Sequence, residues 1–519
     1  MRRCRTTRVL GLLASGLVTS SALGAQATLP DTVTEDSVWS GVIDITHDVR
    51  LAGVTVRVEP GSVIRFVAAD DARVGPKLHL GTAESLVEGR PHRASCRLIL
   101  AGTADRPITV ETPTNGVTGS IVAPSTGSCS IVARHVIFRQ LGRRVSEHNT
   151  EPALLVRLDR PDDDLSLTNC RFEQCGPVWA EFAGDEAGAH VAHCTFTESI
   201  GRTALRFTGS GRGIKTVLDN VADAAFRVDC SQLLVRGNVL IGEQAAVALV
   251  TDRIEAIRID GNYLHCTARQ DNGRFALRCD APGAVVSRNV LVGGTYVCVS
   301  APRTVIGNVF VGVAGLEATM GSPGGGIALR RPTTTTHYLI GELAPAAVVR
   351  DNLFLGPAYG AVATGSRADR PRIENNLFDG WDVARRAVFF NVLADTPVGA
   401  LFVGNVVTRY RTAPIVDQAG RAGTLAEARD NLFAEVPDPL YEKIAFLTDK
   451  APGDRRLERF ADLRLADGPT TRSALDVDQR LRDRQTSPAE VRDTWFAAYR
   501  PGPDSPLRED PGAGPRPSE

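Results

Sequence analysis

The chain has 519 residues, a formal net charge of −1, 43% apolar and 23% charged side chains, and 49 glycines. A balance so close to neutral excludes the broad basic field that draws a protein to nucleic acid or to an anionic membrane surface. The apolar content is that of a turn-rich globular protein rather than a disordered or collagen-like one, and only four of the 59 basic side chains are lysines.

The first element is a secretory leader. Arg2, Arg3, Arg5 and Arg8 form a positive start, Val9 to Val18 an apolar stretch, and "AQA" at residues 25–27 a small-residue cleavage site. Together they predict a signal peptide over 1–27 and a mature protein that is exported, to the periplasm or the exterior. The apolar stretch is too short to cross a bilayer and no later run reaches about 20 apolar residues, so no membrane span is expected. Cleavage removes Cys4 and leaves nine cysteines, an odd number, in a compartment that permits disulfides.

Downstream, one phrase keeps returning. "RDNLF" occurs at 350–354 and 429–433, and its variants include "RHVIF" (134–138), "TNCRF" (168–172), "AHCTF" (192–196), "RGNVL" (236–240), "SRNVL" (287–291) and "ENNLF" (374–378). Taking the Asn, or His in two copies, as the mark gives positions 135, 169, 193, 220, 238, 262, 289, 308, 352, 376, 405 and 431, spaced by about 27 residues on average. Between the marks lie short alternating runs such as "ALRFTG" (204–209) and "AFRVDC" (225–230), whose period of two means strands. A unit of two or three short strands cannot bury its own apolar face and must stack on its neighbours, which makes a parallel β-solenoid. Asn at a fixed corner suits a left-handed bend, and its amide can bond to the same amide one coil away.

The opening segments carry a more specific likeness. "WSGVIDITHDVRLAGVTVRVEPGSVIRF" (39–66), "CRLILAGTADRPITVET" (96–112) and "TGSIVAPSTGSCSIVARHVIF" (118–138) resemble the first coils of secreted bacterial proteins of the pectin-lyase-like superfamily. The resemblance covers 36–436. It implies an all-β, single-stranded right-handed parallel β-helix and enzymes that act on acidic polysaccharides, as lyases, hydrolases or esterases. Residues 70–94 depart from it as an inserted loop, and the 44 residues between Asn308 and Asn352 hold "RPTTTTHYLI" (331–340), an insertion or a degenerate coil. Residues 437–500 form an irregular, partly helical C-terminal cap, with Ser487, Pro488 and Glu490 predicting a capping box and a helix to about Tyr499 that closes the solenoid end. The proline-rich stretch 501–519 is expected to be disordered.

The catalytic elements of the superfamily are missing from the sequence. The polygalacturonase N-T-D, G-H-G and R-I-K elements, the pectate-lyase R-x-P-x-x-R and the methylesterase D-F-I-F-G do not occur, and "DDD" at 162–164 reads as a solvated turn. What remains comes from aligning one strand across six coils, "VWAEFAG" (178–184) through "TYVCVSA" (295–301), without gaps. Period two then sends Ala180, Leu205, Phe226, Val247, Leu277 and Val297 inward. It sends Glu181, Arg206, Arg227, Ala248, Arg278 and Cys298 outward, with Asp229 and Asp280 two positions on.

Such an arginine strip could pair with the carboxylates of an extended uronate chain. In a lyase, Asp229 and Asp280 would hold Ca²⁺ beside an arginine base. The plain alternative is an exposed ion-pair ladder of small net energy. Low aromatic content, 6%, counts against a sugar-stacking cleft, with Trp179 the one candidate platform on these strands. The sequence therefore leaves three classes open: a non-catalytic glycan-binding or surface-structural protein, a Ca²⁺-dependent polysaccharide lyase, and a glycoside hydrolase with two carboxylates across one cleft. A monomer is expected, with no established cofactor. Cys96 and Cys129 open strands in neighbouring coils and are the disulfide candidate, whereas Cys170 and Cys194 are expected to stack as thiols; a plain apolar role is the alternative for each.

Overall fold

The computed structural model describes residues 27–514 apart from isolated positions and internal segments, the longer ones being 69–73, 124–128, 250–255, 269–274, 317–331, 391–398, 418–424, 466–476 and 508–513. The predicted leader therefore lies outside the described residues, except for Ala27 at its end.

The chain is a parallel β-solenoid. Each coil contributes one strand to each of three long sheets, as Thr203–Gly209, Lys215–Leu218 and Val221–Ala222 do in one coil. We name the sheets S1, S2 and S3 in that order; among the described residues they contain 16, 15 and 17 strands. Alternation places every second side chain inside, and equivalent residues stack from coil to coil. Phe138, Phe172 and Phe196 lie face to face at 4.6 and 4.7 Å, and Phe310, Phe354 and Phe378 at 4.9 and 4.7 Å. These spacings match the separation of neighbouring strands, so ring stacking and backbone pairing satisfy one repeat.

The recurring phrase marks the corner between S2 and S3. Nine buried asparagines, 220, 238, 262, 289, 308, 352, 376, 405 and 431, form a continuous ladder, each donating its side-chain amide to the next side-chain carbonyl at 2.9–3.3 Å. The left-handed residue is not the ladder Asn but the one before it: Asp219, Gly237, Gly261, Arg288, Gly307, Asp351, Asn375, Gly404 and Asp430 all have positive φ. His135, Asn169 and His193 also have positive φ, so these three marks sit one residue before the ladder position. Cys170 and Cys194 occupy that position, and their thiols reach Ala133 O and Leu167 O. The Asn220 amide reaches the equivalent carbonyl, Val191 O. A thiol is a weaker donor than an amide, so the ladder begins where the thiols end.

From Val221 to Ala434 the S3 strands are buried on both faces, unlike the alternating strands before them. The cover is the C-terminal segment, which lies along the outer flank rather than across the end. Leu481, Val491, Trp495, Ala498, Tyr499 and Leu507 pack on Val239, Val290, Val309, Leu353 and Leu377. Its helices are α1 (Val477–Arg482) and α2 (Pro488–Ala498), and α2 opens with the expected box: Glu490 N donates to Ser487 Oγ at 3.2 Å and Ser487 N to the Glu490 carboxylate at 2.9 Å.

Two carboxylates, partly buried Asp478 and fully buried Asp379, fasten this strap. Tyr263 Oη and His265 Nδ1 each lie 2.7 Å from Asp478, and Tyr499 Oη donates to Asp379, which also takes Arg409 Nε.

Other boundaries shift. Lys77–Gly81, within the expected loop 70–94, is an S1 strand, and the true excursion is an antiparallel hairpin of Glu84–Val87 and Arg90–Arg93. The long gap before Asn352 is an insertion: Pro332–Thr334 pairs antiparallel with Ala314–Leu316, and Tyr338–Ile340 resumes S1. Solenoid pairing continues past 436, through Tyr441–Glu442 to Arg455–Leu457. The stretch expected to be disordered from 501 is packed over its first residues, with Ser505 and Leu507 buried. Asp163, read as part of a solvated turn, is buried and accepts from the backbone N–H groups of Cys129, Asp159 and Arg160.

Candidate functional site: the outer face of S1

The arginine strip lies on the outer face of S1, with two changes of register. Val178 pairs with Leu205 rather than Thr203. Trp179 thus stands beside Arg206, and Glu181 beside Thr208 on one side and Arg157 on the other. At the far end Leu277 pairs with Cys298, which is buried and leaves the outward column. Between these slips the column runs Arg206, Arg227, Ala248, Arg278 as expected, and Trp179 takes the place expected of Glu181.

The three arginines are not equivalent. Arg278 Nε lies 2.7 Å from Asp280 and Arg227 Nε 3.9 Å from Asp229, so each carboxylate two residues on serves the arginine of its own strand. Both guanidinium groups are partly exposed, so these pairs are of small net energy. Arg206 differs. Its guanidinium lies 3.9 Å over the Trp179 ring, and its Nε is buried with no hydrogen-bond partner. Burial, and then Arg227 beside it, hold its pKa below the ordinary value. Trp179 is itself fixed by its Nε1, which donates to Thr208 Oγ1 at 3.4 Å.

Among the described residues no three His, Cys, Asp or Glu side chains converge as a metal would need. Asp229 and Asp280 face their own arginines, so they do not form the donor set a bound Ca²⁺ requires. Cys96 and Cys129 are in direct register, yet both are free thiols. Burial pushes the Cys96 thiol up to about 11 and the Cys129 thiol higher still.

Further along the same face stands a group that the sequence alignment did not reach. Tyr296, Tyr338, Tyr359 and Phe389 form a contiguous aromatic cluster with Arg385 and Arg386 against it. Tyr296 is separated from the other members by the insertion before Tyr338, and those members come from three successive coils, so their adjacency is not visible along the chain. The available signal was a tyrosine, "HYLI" (337–340), just after that insertion.

Fold and face together define a class: a parallel β-solenoid whose first sheet presents a cationic strip and then an aromatic cluster. No protein family, no curated protein and no solved structure matches the chain.

Proposed function

We propose that the protein is an exported right-handed β-helix of the pectin-lyase-like kind that binds an acidic polysaccharide along the outer face of S1, without catalysing its cleavage. One observation carries this reading: Arg206 and Arg227 are in-register neighbours on an outward face. Like charges directly opposite each other in a sheet are destabilising, and the Arg206 Nε lacks a hydrogen-bond partner. An anion on this face offsets the repulsion and accepts from the exposed Arg227 guanidinium. A uronate chain offers carboxylates in series, as stacked coils offer arginines. The calcium-dependent lyase reading gains no support, because its proposed ligands are engaged by arginines.

Calorimetry of the wild type and Arg227→Ala against polygalacturonate and alginate tests the proposal. Binding by the wild type, weakened at least roughly tenfold in the variant, supports it; no binding by the wild type overturns it. Release of unsaturated uronate products, abolished by EDTA, would overturn the non-catalytic part.

A further inference from the structure

The aromatic cluster is built differently from the solenoid interior. Four aromatic side chains gather outside the coil, and all but Phe389 are only partly buried. Tyr338 and Phe389 face each other at 6.2 Å with planes 12° apart, across the strand Gly360–Thr364 that lies between theirs. Gly360 makes this possible, since a Cβ there would lie 3.0 Å from the Tyr338 ring. Tyr359 stands perpendicular to both rings, at 5.9 and 6.1 Å.

The Arg386 guanidinium rests 5.2 Å from the Tyr359 ring and 4.7 Å from the Phe389 ring, and Arg385 lies 5.6 Å from Tyr359. Arg386 Nε is buried without a hydrogen-bond partner, and neither arginine has a carboxylate partner among the described residues. Aromatic rings hold such a cation in place but neutralise none of its charge. The cluster therefore keeps an unspent positive charge next to partly exposed ring surface, a combination that suits a ring-shaped ligand with an anionic substituent.

We infer that this cluster is a second subsite of the same glycan face, taking an acidic sugar residue whose anionic group pairs with Arg385 and Arg386. The inference rests on the polysaccharide reading above and adds the length of the ligand. From the Arg206 strand to the Arg386 strand there are seven steps between paired S1 strands. At about 4.8 Å per step the two subsites are roughly 34 Å apart. Only an extended chain of several sugars reaches both, so affinity rises with chain length as the second contact becomes intramolecular.

The test is calorimetry with polygalacturonate oligomers of graded length on wild type, Arg386→Ala, Arg385→Ala and Arg227→Ala. Arg385 is exposed, so its variant keeps the measurement independent of any folding defect at Arg386. The expected result is that the wild type binds long oligomers more tightly than short ones. Arg385→Ala and Arg386→Ala then lose about tenfold on long oligomers and nothing on short ones, whereas Arg227→Ala loses affinity for both. Unchanged long-oligomer affinity in both cluster variants, with Arg227→Ala still impaired, overturns this inference alone. No binding of any oligomer by the wild type overturns the polysaccharide reading with it.

Discussion

Asn431 donates both its backbone N–H and its side-chain amide to Asp454 Oδ1, at 2.9 and 3.1 Å, so the asparagine ladder ends on a carboxylate. The other Asp454 oxygen accepts from Tyr441 Oη at 2.6 Å and from Ala451 N at 2.9 Å. All four partners donate, and only a group that accepts on both sides fits between them.

Asp454→Asn places an NH₂ against donors at one of these oxygens. The expected cost is about 1–3 kcal/mol of stability, from buried donors left unmatched. Urea denaturation monitored in the last coils should show it. An unchanged midpoint would mean that the terminal acceptor contributes nothing.

The C-terminal strap should be required for solubility. Truncation before α1 uncovers Val239, Val290, Val309, Leu353 and Leu377 on one side of S3, an apolar patch of the kind that drives association. Size-exclusion chromatography should show aggregation of the truncated chain, with increased binding of a hydrophobic dye. Asp478→Ala should have a milder effect, about 1–3 kcal/mol, because it leaves the buried Tyr263 hydroxyl without its acceptor.

Two carboxylates should tune stability with pH in opposite directions. Burial pushes the Asp164 carboxyl above its ordinary value. A raised folded pKa contributes stability at low pH that is lost as pH rises through that value. Asp164→Asn should therefore raise the unfolding midpoint at neutral pH and have little effect near pH 3, below the ordinary carboxylate value. Asp260 is the reverse: burial alone would raise it, but hydrogen bonds from Arg288 and Ser287 outweigh burial and hold it low. Its contribution is present at neutral pH and lost as pH falls through the folded value, so Asp260→Asn should destabilise at pH 7. Midpoints measured across this range check both signs.

The described cysteines are all buried free thiols. Burial pushes Cys175 and Cys230 up to about 12, which suppresses the reactive thiolate. Native protein should resist iodoacetamide and label fully after denaturation. A Cys96–Cys129 peptide pair found two hydrogens lighter would show that the expected bridge forms after all.

The solenoid could be read from sequence because each corner repeats a residue with a geometric duty, and the alternating runs between corners have one period. Register was harder. Matching Phe182 with Phe207 preserves alternation, and so does the true pairing of Phe182 with Gly209. A slip of two residues leaves the inward set inward, and period two cannot detect it. At Ala276 and Leu277 two consecutive residues face inward, which breaks the alternation before Cys298 is reached. The strap was legible in principle: runs such as "NVLVG" (289–293) and "NLFLG" (352–356) are apolar at consecutive positions, the pattern of strands covered on both faces. The aromatic cluster was not, since it depends on which strands the insertions bring together.

The ladder asks for one amide per coil and is indifferent to the chain between, which ranges from 18 residues (Asn220 to Asn238) to 44 (Asn308 to Asn352). Coils are thus interchangeable at the corner. A whole coil carrying its own Asn can be gained or lost without redesigning its neighbours, and the S1 face would lengthen or shorten by one strand while its chemistry stayed in line. Asp454 fixes where that growth stops.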